Sequence, residues 1–112
     1  MSKLPEDYLK HILDETDYLI ESSKEITEER FVKDLTFQKA FTRSLEIIGE
    51  AVKNLPEEFT RLHKEADWKS IAGMRDRLIH HYFGVDYEII WDVVKNEIPK
   101  LNKQIKKILK QL

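Results

Sequence analysis

On the stretch from Trp68 to Phe83, an advance of about 100° per residue gathers Ile71, Ala72, Leu78, Ile79, Tyr82 and Phe83 into one arc, and Arg75 falls at its centre. A guanidinium cannot shed its proton, and holding one unpaired in apolar surroundings costs several kcal/mol. Something anionic should therefore meet Arg75. His80 stands five residues on, at the edge of the arc, with Asp76 one turn behind it at the spacing that lets a carboxylate orient an imidazole. An imidazole that moves protons near neutral pH, a fixed cation and an orienting acid together suit phosphodiester cleavage without a metal. In that reaction a 2′-hydroxyl attacks the adjacent phosphorus and leaves a 2′,3′-cyclic end. One imidazole does not readily serve as base and acid at once, so two copies facing each other across a two-fold axis would complete the machinery, which implies a homodimer. A second reading of Arg75 stands beside this one. In it, Arg75 makes a structural ion pair with Asp34, Glu46 or Glu50, or its charged end reaches solvent along its own methylenes.

The elements that must position these groups are all helical in pattern. Leu4, Tyr8, Leu9, Ile12, Leu13, Leu19 and Ile20 stack along one side of a first helix, from Leu4 to about Ser22. Thr27 can cap a second, with Glu28 and Glu29 at its positive end, running to Asn54. Its expected inward set is Phe31, Leu35, Phe41, Leu45, Ile48, Val52 and Leu55, over a length of roughly 40 Å. Pro56 opens a short turn through Phe59, Asp67 caps the helix from Trp68 to Phe83, and Gly84 stops it. Asp86 caps a last helix in which Ile90, Val94, Ile98, Leu101, Ile105, Ile108 and Leu112 advance by threes and fours through Pro99, so a kink is expected near Asn96. The whole reads as one all-α domain over residues 1–112, an up-and-down bundle of about four to five helices.

Composition narrows the chemistry further. A chain of 112 residues with 41% hydrophobic content supports one modest core. The net charge of -2 provides no general basic footprint, so RNA would have to be met by a local groove. Cysteine is absent, which removes disulfides and thiolate metal sites, and the opening Met1-Ser2-Lys3-Leu4-Pro5 lacks the apolar core of a signal peptide. A cytoplasmic location, with no membrane span, no metal and no cofactor, is expected. A ferritin-like metal bundle needs Glu-x-x-His pairs, and none of His11, His63, His80 and His81 has a glutamate three residues earlier. The three glycines form no phosphate loop. Trp68 and Trp91 fit core or interface anchors better than base-stacking platforms, and the lysines from Lys100 to Lys110 fit a solvated face that also suits a helix C-terminus. His81 and Arg77 fit the rim of a cleft or a dimer contact and plain surface equally, and Tyr82 alone fits a half-buried aromatic with a wet hydroxyl.

The run Arg75-Asp76-Arg77-Leu78-Ile79-His80-His81-Tyr82 resembles the signature of HEPN ribonucleases, and Tyr82, two past His80, extends the likeness to the HepT toxins. Trp68-Lys69-Ser70-Ile71-Ala72-Gly73-Met74, Tyr82-Phe83-Gly84-Val85-Asp86 and the segment from Phe37-Gln38-Lys39-Ala40 to Ile48-Gly49-Glu50-Ala51 are similar to that family as well. The resemblance implies a dimeric helical bundle whose two motifs line a cleft between protomers. It implies catalysis by Arg75 and His80 with Asp76, an RNA rather than a DNA substrate, and a minimal nucleotidyltransferase antitoxin as partner. In some members that partner transfers AMP to the motif tyrosine, here Tyr82. A phosphate placed there would occupy the cation that RNA needs. Asp76 stands where other members can carry asparagine, a departure that bears on the basicity of His80. The alternative from another class is a non-catalytic helical adaptor that uses Arg75 to hold a phosphate or an acid.

Overall fold

The computed structural model describes residues 4–80 and 86–112, with side chains at 4–74 and 86–112. Helices account for nearly all of it. They are α1 (Pro5–Ser23), α2 (Glu28–Phe31), α3 (Leu35–Lys53), α4 (Glu57–Leu62), α5 (Trp68–His80), α6 (Tyr87–Asp92) and α7 (Ile98–Gln111), with a π-helical segment at Val93–Glu97 joining the last two. Among the described residues there is no strand, in keeping with the expected helical bundle.

Each boundary has a local cause. Pro5 sits in the first turn of α1, where its missing N–H is no loss, and the Asp7 carboxylate accepts a hydrogen bond from the Leu4 amide at 3.1 Å. Thr27 caps α2 as expected, its hydroxyl accepting from the Arg30 amide at 3.2 Å. The single long second helix is corrected, however, because the chain breaks after Phe31 and restarts at Leu35. Asp34 is the reason, since its carboxylate caps α3 by accepting from the Phe37 amide at 3.1 Å. At this break the Gln38 side chain donates to the Phe31 carbonyl at 3.0 Å, satisfying an acceptor that a continuing helix would have used. The break turns Phe31 fully inward, stacked on Phe41 with ring centroids 5.0 Å apart. Leu35, expected inside, is 60% exposed, and α3 with its 19 residues spans about 28 Å rather than 40 Å.

The expected irregularity before Pro99 is a wide turn. The Ile98 amide donates to the Val93 carbonyl, five residues back, and so steps past the position where proline has no N–H to offer. Helical continuity survives, and Ile90, Val94, Ile98, Leu101, Ile105 and Ile108 are all buried on one side. Leu112 lies outside the core.

In the packing, α1 lies between α3 and α7, and α5 packs along α3. The core joins Leu9, Ile12 and Leu19 of α1 to Phe41, Leu45 and Ile48 of α3 and to the inward residues of α7. Polar pins fix the register within this apolar contact. Asn102, 4% exposed, donates to Thr16 Oγ1 at 2.9 Å and to Asp17 Oδ1 at 2.8 Å, while Ser44 of α3 donates to Glu15 Oε1 at 2.8 Å. Replacing Asn102 by alanine removes both of its bonds and leaves a small void in a dry setting. Asn102→Ala is expected to lower unfolding free energy by about 1–3 kcal/mol. Urea titration checks this, and an unchanged midpoint would deny the pin any structural weight.

Candidate active site

Helix α5 carries the candidate groups. Its start is fixed by Asp67, as expected, whose carboxylate accepts from the Ser70 amide at 3.1 Å while its carbonyl accepts from the Ile71 amide. Trp68 then anchors the first turn. Its ring is buried beside Phe59, and Nε1 donates to the His63 carbonyl at 2.7 Å, tying α5 to the end of α4. Trp68 is thus a core anchor in the described structure. Trp91 is half-buried against Phe31, with the Lys95 ammonium 5.5 Å from its ring centroid.

Val52 and Leu55, near the end of α3, share a groove with Trp68, Lys69 and Ala72. Helix α5 therefore begins beside the end of α3 and runs back along it. Arg75, Asp76 and His80 all lie on the helical backbone of α5, and their side chains fall outside the described residues, as do Tyr82, Phe83, His81 and the expected stop at Gly84. The backbone places Asp76 and His80 four positions apart, on successive turns of one side. From Arg75 to His80 the five steps amount to about 140° around the axis and roughly 7.5 Å along it. Within one protomer the two positions thus sit on different flanks of the helix, and the expectation that His80 stands at the edge of the arc centred on Arg75 is corrected: it lies beyond it.

The acids considered as structural partners of Arg75 have engagements of their own. Asp34 caps α3 and lies 3.8 Å from Arg30, and Glu46 pairs with Arg43 at 3.4 Å. Glu50 accepts from the Asn54 side chain at 3.4 Å.

A cleft that periodicity did not reveal runs along the other flank of α5. It has a volume of about 320 Å³, and Ser70, Ile71 and Met74 of α5 face Val93, Lys100 and Gln104 across it. Met74 is the residue next to Arg75, so the cleft ends beside the motif. No residue type announces the cleft, and the one irregularity nearby, Gly73, is not among its lining. A glycine in mid-helix is unfavourable by roughly 0.5–1 kcal/mol relative to alanine. Here a Cβ would meet nothing within 4 Å among the described residues, so packing against those residues gives no reason for it. Gly73→Ala is accordingly expected to raise stability by about 0.5–1 kcal/mol, seen as a higher melting temperature. A lowered midpoint would show that the space beside Gly73 is filled.

Comparison with known proteins adds the family. Residues 9–108 match the family model described as Ribonuclease HepT-like. A protein of Caldanaerobacter subterraneus subsp. tengcongensis is 60% identical over 109 residues, covering 97% of each chain, and one of Methanocaldococcus jannaschii is 49% identical over 105 residues, covering 94% of this chain and 87% of its own; both are named "Putative RNase". A "Probable ribonuclease HepT" of Thermococcus cleftensis is 46% identical over 110 residues, 98% of this chain and 100% of its own. No solved structure gives a significant match. With nearly the whole bundle matched, the helix bearing Arg75 and His80 included, the chain belongs to the HepT-like family of HEPN ribonucleases.

Proposed function

We propose that the protein is a metal-independent endoribonuclease, acting as a homodimer and serving as the toxin of a pair with a nucleotidyltransferase antitoxin. The observation that carries this reading is an arginine and a histidine five positions apart on one helix of a chain that matches the ribonuclease family along most of its length. Residues 1–112 act as one HEPN unit in this reading.

In the proposed reaction His80 takes the proton from a ribose 2′-hydroxyl, and the freed oxygen attacks the adjacent phosphorus. The bond from phosphorus to the 5′-oxygen breaks. His80 of the two-fold copy gives a proton to that leaving oxygen, so the products are a 2′,3′-cyclic phosphate and a 5′-hydroxyl. Arg75 faces the charge that builds on the non-bridging oxygens, and Asp76 orients the imidazole. The angle of about 140° between the Arg75 and His80 positions supports a composite site. One helix does not stack the two groups, whereas two copies meeting along α5 can offer an arginine from one and a histidine from the other.

Silencing by the antitoxin has a physical rationale in the same terms. Transfer of AMP from a nucleoside triphosphate to the Tyr82 hydroxyl releases pyrophosphate and adds a phosphodiester anion two residues from His80. That anion competes with the RNA phosphate for Arg75. Among the described residues no helix is long and apolar enough to cross a membrane, and a cytoplasmic RNA pool is the proposed setting.

The test is RNA cleavage in excess EDTA by the parent, His80→Ala and Arg75→Ala proteins. Each substitution is expected to lower the rate by about 10²–10⁴-fold, with the dimer intact by light scattering. Equal activity in all three would favour the adaptor. Arg75→Ala is further expected to fold normally, because it removes a costly cation from an apolar arc; an aggregated variant would assign Arg75 to a structural ion pair.

A further inference from the structure

Charge is unevenly spread over this molecule. Helix α7 holds Lys100, Lys103, Lys106, Lys107 and Lys110 and no acidic residue, which leaves 14 of the 19 basic residues against all 21 acidic ones, a net −7 on the rest of the chain. The five lysines are exposed and fall within about 120° of arc, opposite the buried Leu101, Ile105 and Ile108. Elsewhere several basic side chains find local partners: Lys10 with Glu6, Lys24 with Glu21, Arg43 with Glu46 and Arg61 with Glu57. None of the five α7 lysines has an acidic partner within 4 Å among the described residues. A lysine row that served only as solvated surface would be tolerated equally well with acids interspersed.

The position of the row matters more than its charge. Lys100 begins it and also lines the cleft whose opposite wall is Ser70, Ile71 and Met74 of α5, the last of these adjoining Arg75. From Lys100 to Lys110 the row runs about 15 Å, long enough to follow a few consecutive phosphates of an extended strand. The acids at this cleft are Glu65, Asp67 and Glu97. The Asp67 carboxylate is held by the Ser70 amide and Glu65 lies 3.6 Å from His63, so Glu97 is the one without such an engagement among the described residues.

We infer that the lysine face of α7 binds the phosphate backbone of single-stranded RNA and leads that strand through the α5–α7 cleft to the helix bearing Arg75 and His80. This rests on the ribonuclease reading for its choice of polyanion. The contact is to phosphates alone, so it is indifferent to base sequence and sensitive to salt.

The test uses the full chain carrying His80→Ala, so that binding is read without cleavage. Anisotropy of a labelled oligouridine of about 16 nucleotides is followed over a range of salt, with and without Lys103→Gln, Lys107→Gln and Lys110→Gln together. Each lysine contact contributes about 0.7 to the slope of log affinity against log salt for a single strand. The triple variant is expected to lose about two units of slope and at least tenfold in affinity at low salt, and Lys-to-Arg versions at the same positions are expected to restore both. Unchanged binding would overturn the inference, as would loss of binding to phosphatidylserine vesicles with RNA binding intact. A parent that binds RNA with this slope yet cleaves none would instead sink the ribonuclease reading and leave the lysine face standing.

Discussion

Everything in the bundle is referenced to α1, and α1 is held by polar contacts inside an apolar seam. A helix packed by hydrophobic contact alone can slide by a turn at little loss, because burial is proportional to area and carries no direction. Asn102 removes that freedom against α7, since its amide has to meet Thr16 and Asp17 together, and Ser44 does the same for α3 through Glu15. Leaving a buried amide unpaired would cost more than its bonds contribute when made, so alternative registers are disfavoured more strongly than the native one is favoured. With α3 placed in this way, α5 has a fixed surface to run along.

Among its described residues, the motif helix is covered on some sides only. It has α3 on one side, an open cleft on another and a glycine at its middle. Trp68 compensates at the first turn, where a buried ring and an indole N–H both restrain the chain. Held at its base by Trp68 and bordered by an open cleft at Ser70, Ile71 and Met74, α5 has the placement that the proposed presentation of a cation and an imidazole to a nucleic acid strand requires. A deep pocket could not admit such a substrate, and a fully packed helix would bury the groups proposed to touch it.

What could be read from residue types alone follows a clear division. Caps made by side chains next to the helices they start, at Thr27, Asp67 and Asp86, are local chemistry and were legible. Asp34 offered the same chemistry, yet Leu35 stands four residues after Phe31 and so continues an apolar stripe across a break that the carboxylate makes. Periodicity does not distinguish a residue that carries on the inward face from one that restarts the helix pointing outward. Pro99 announced an irregularity, but its form as a π turn depends on Ile98 keeping its place in the core. Asn102 sits among lysines and gave no hint that it is buried beside Thr16. For the site, Arg75 and His80 stood out because their types conflict with a greasy helix, whereas the nearness of Lys100 to Met74 is a product of the fold.

The separation of charge between α7 and the remainder makes the molecule an electric dipole. Beyond a Debye length, about 8 Å at physiological ionic strength, salt screens the small overall charge of -2, and an approaching polyanion is neither drawn in nor held off. Closer in, the field is that of the nearest side, and an encounter with the lysine flank forward is attractive. Orientation is therefore selected before contact, by torque rather than by collision. A chain with an acidic isoelectric point can in this way receive a nucleic acid on one side while its other sides keep bulk RNA at a distance.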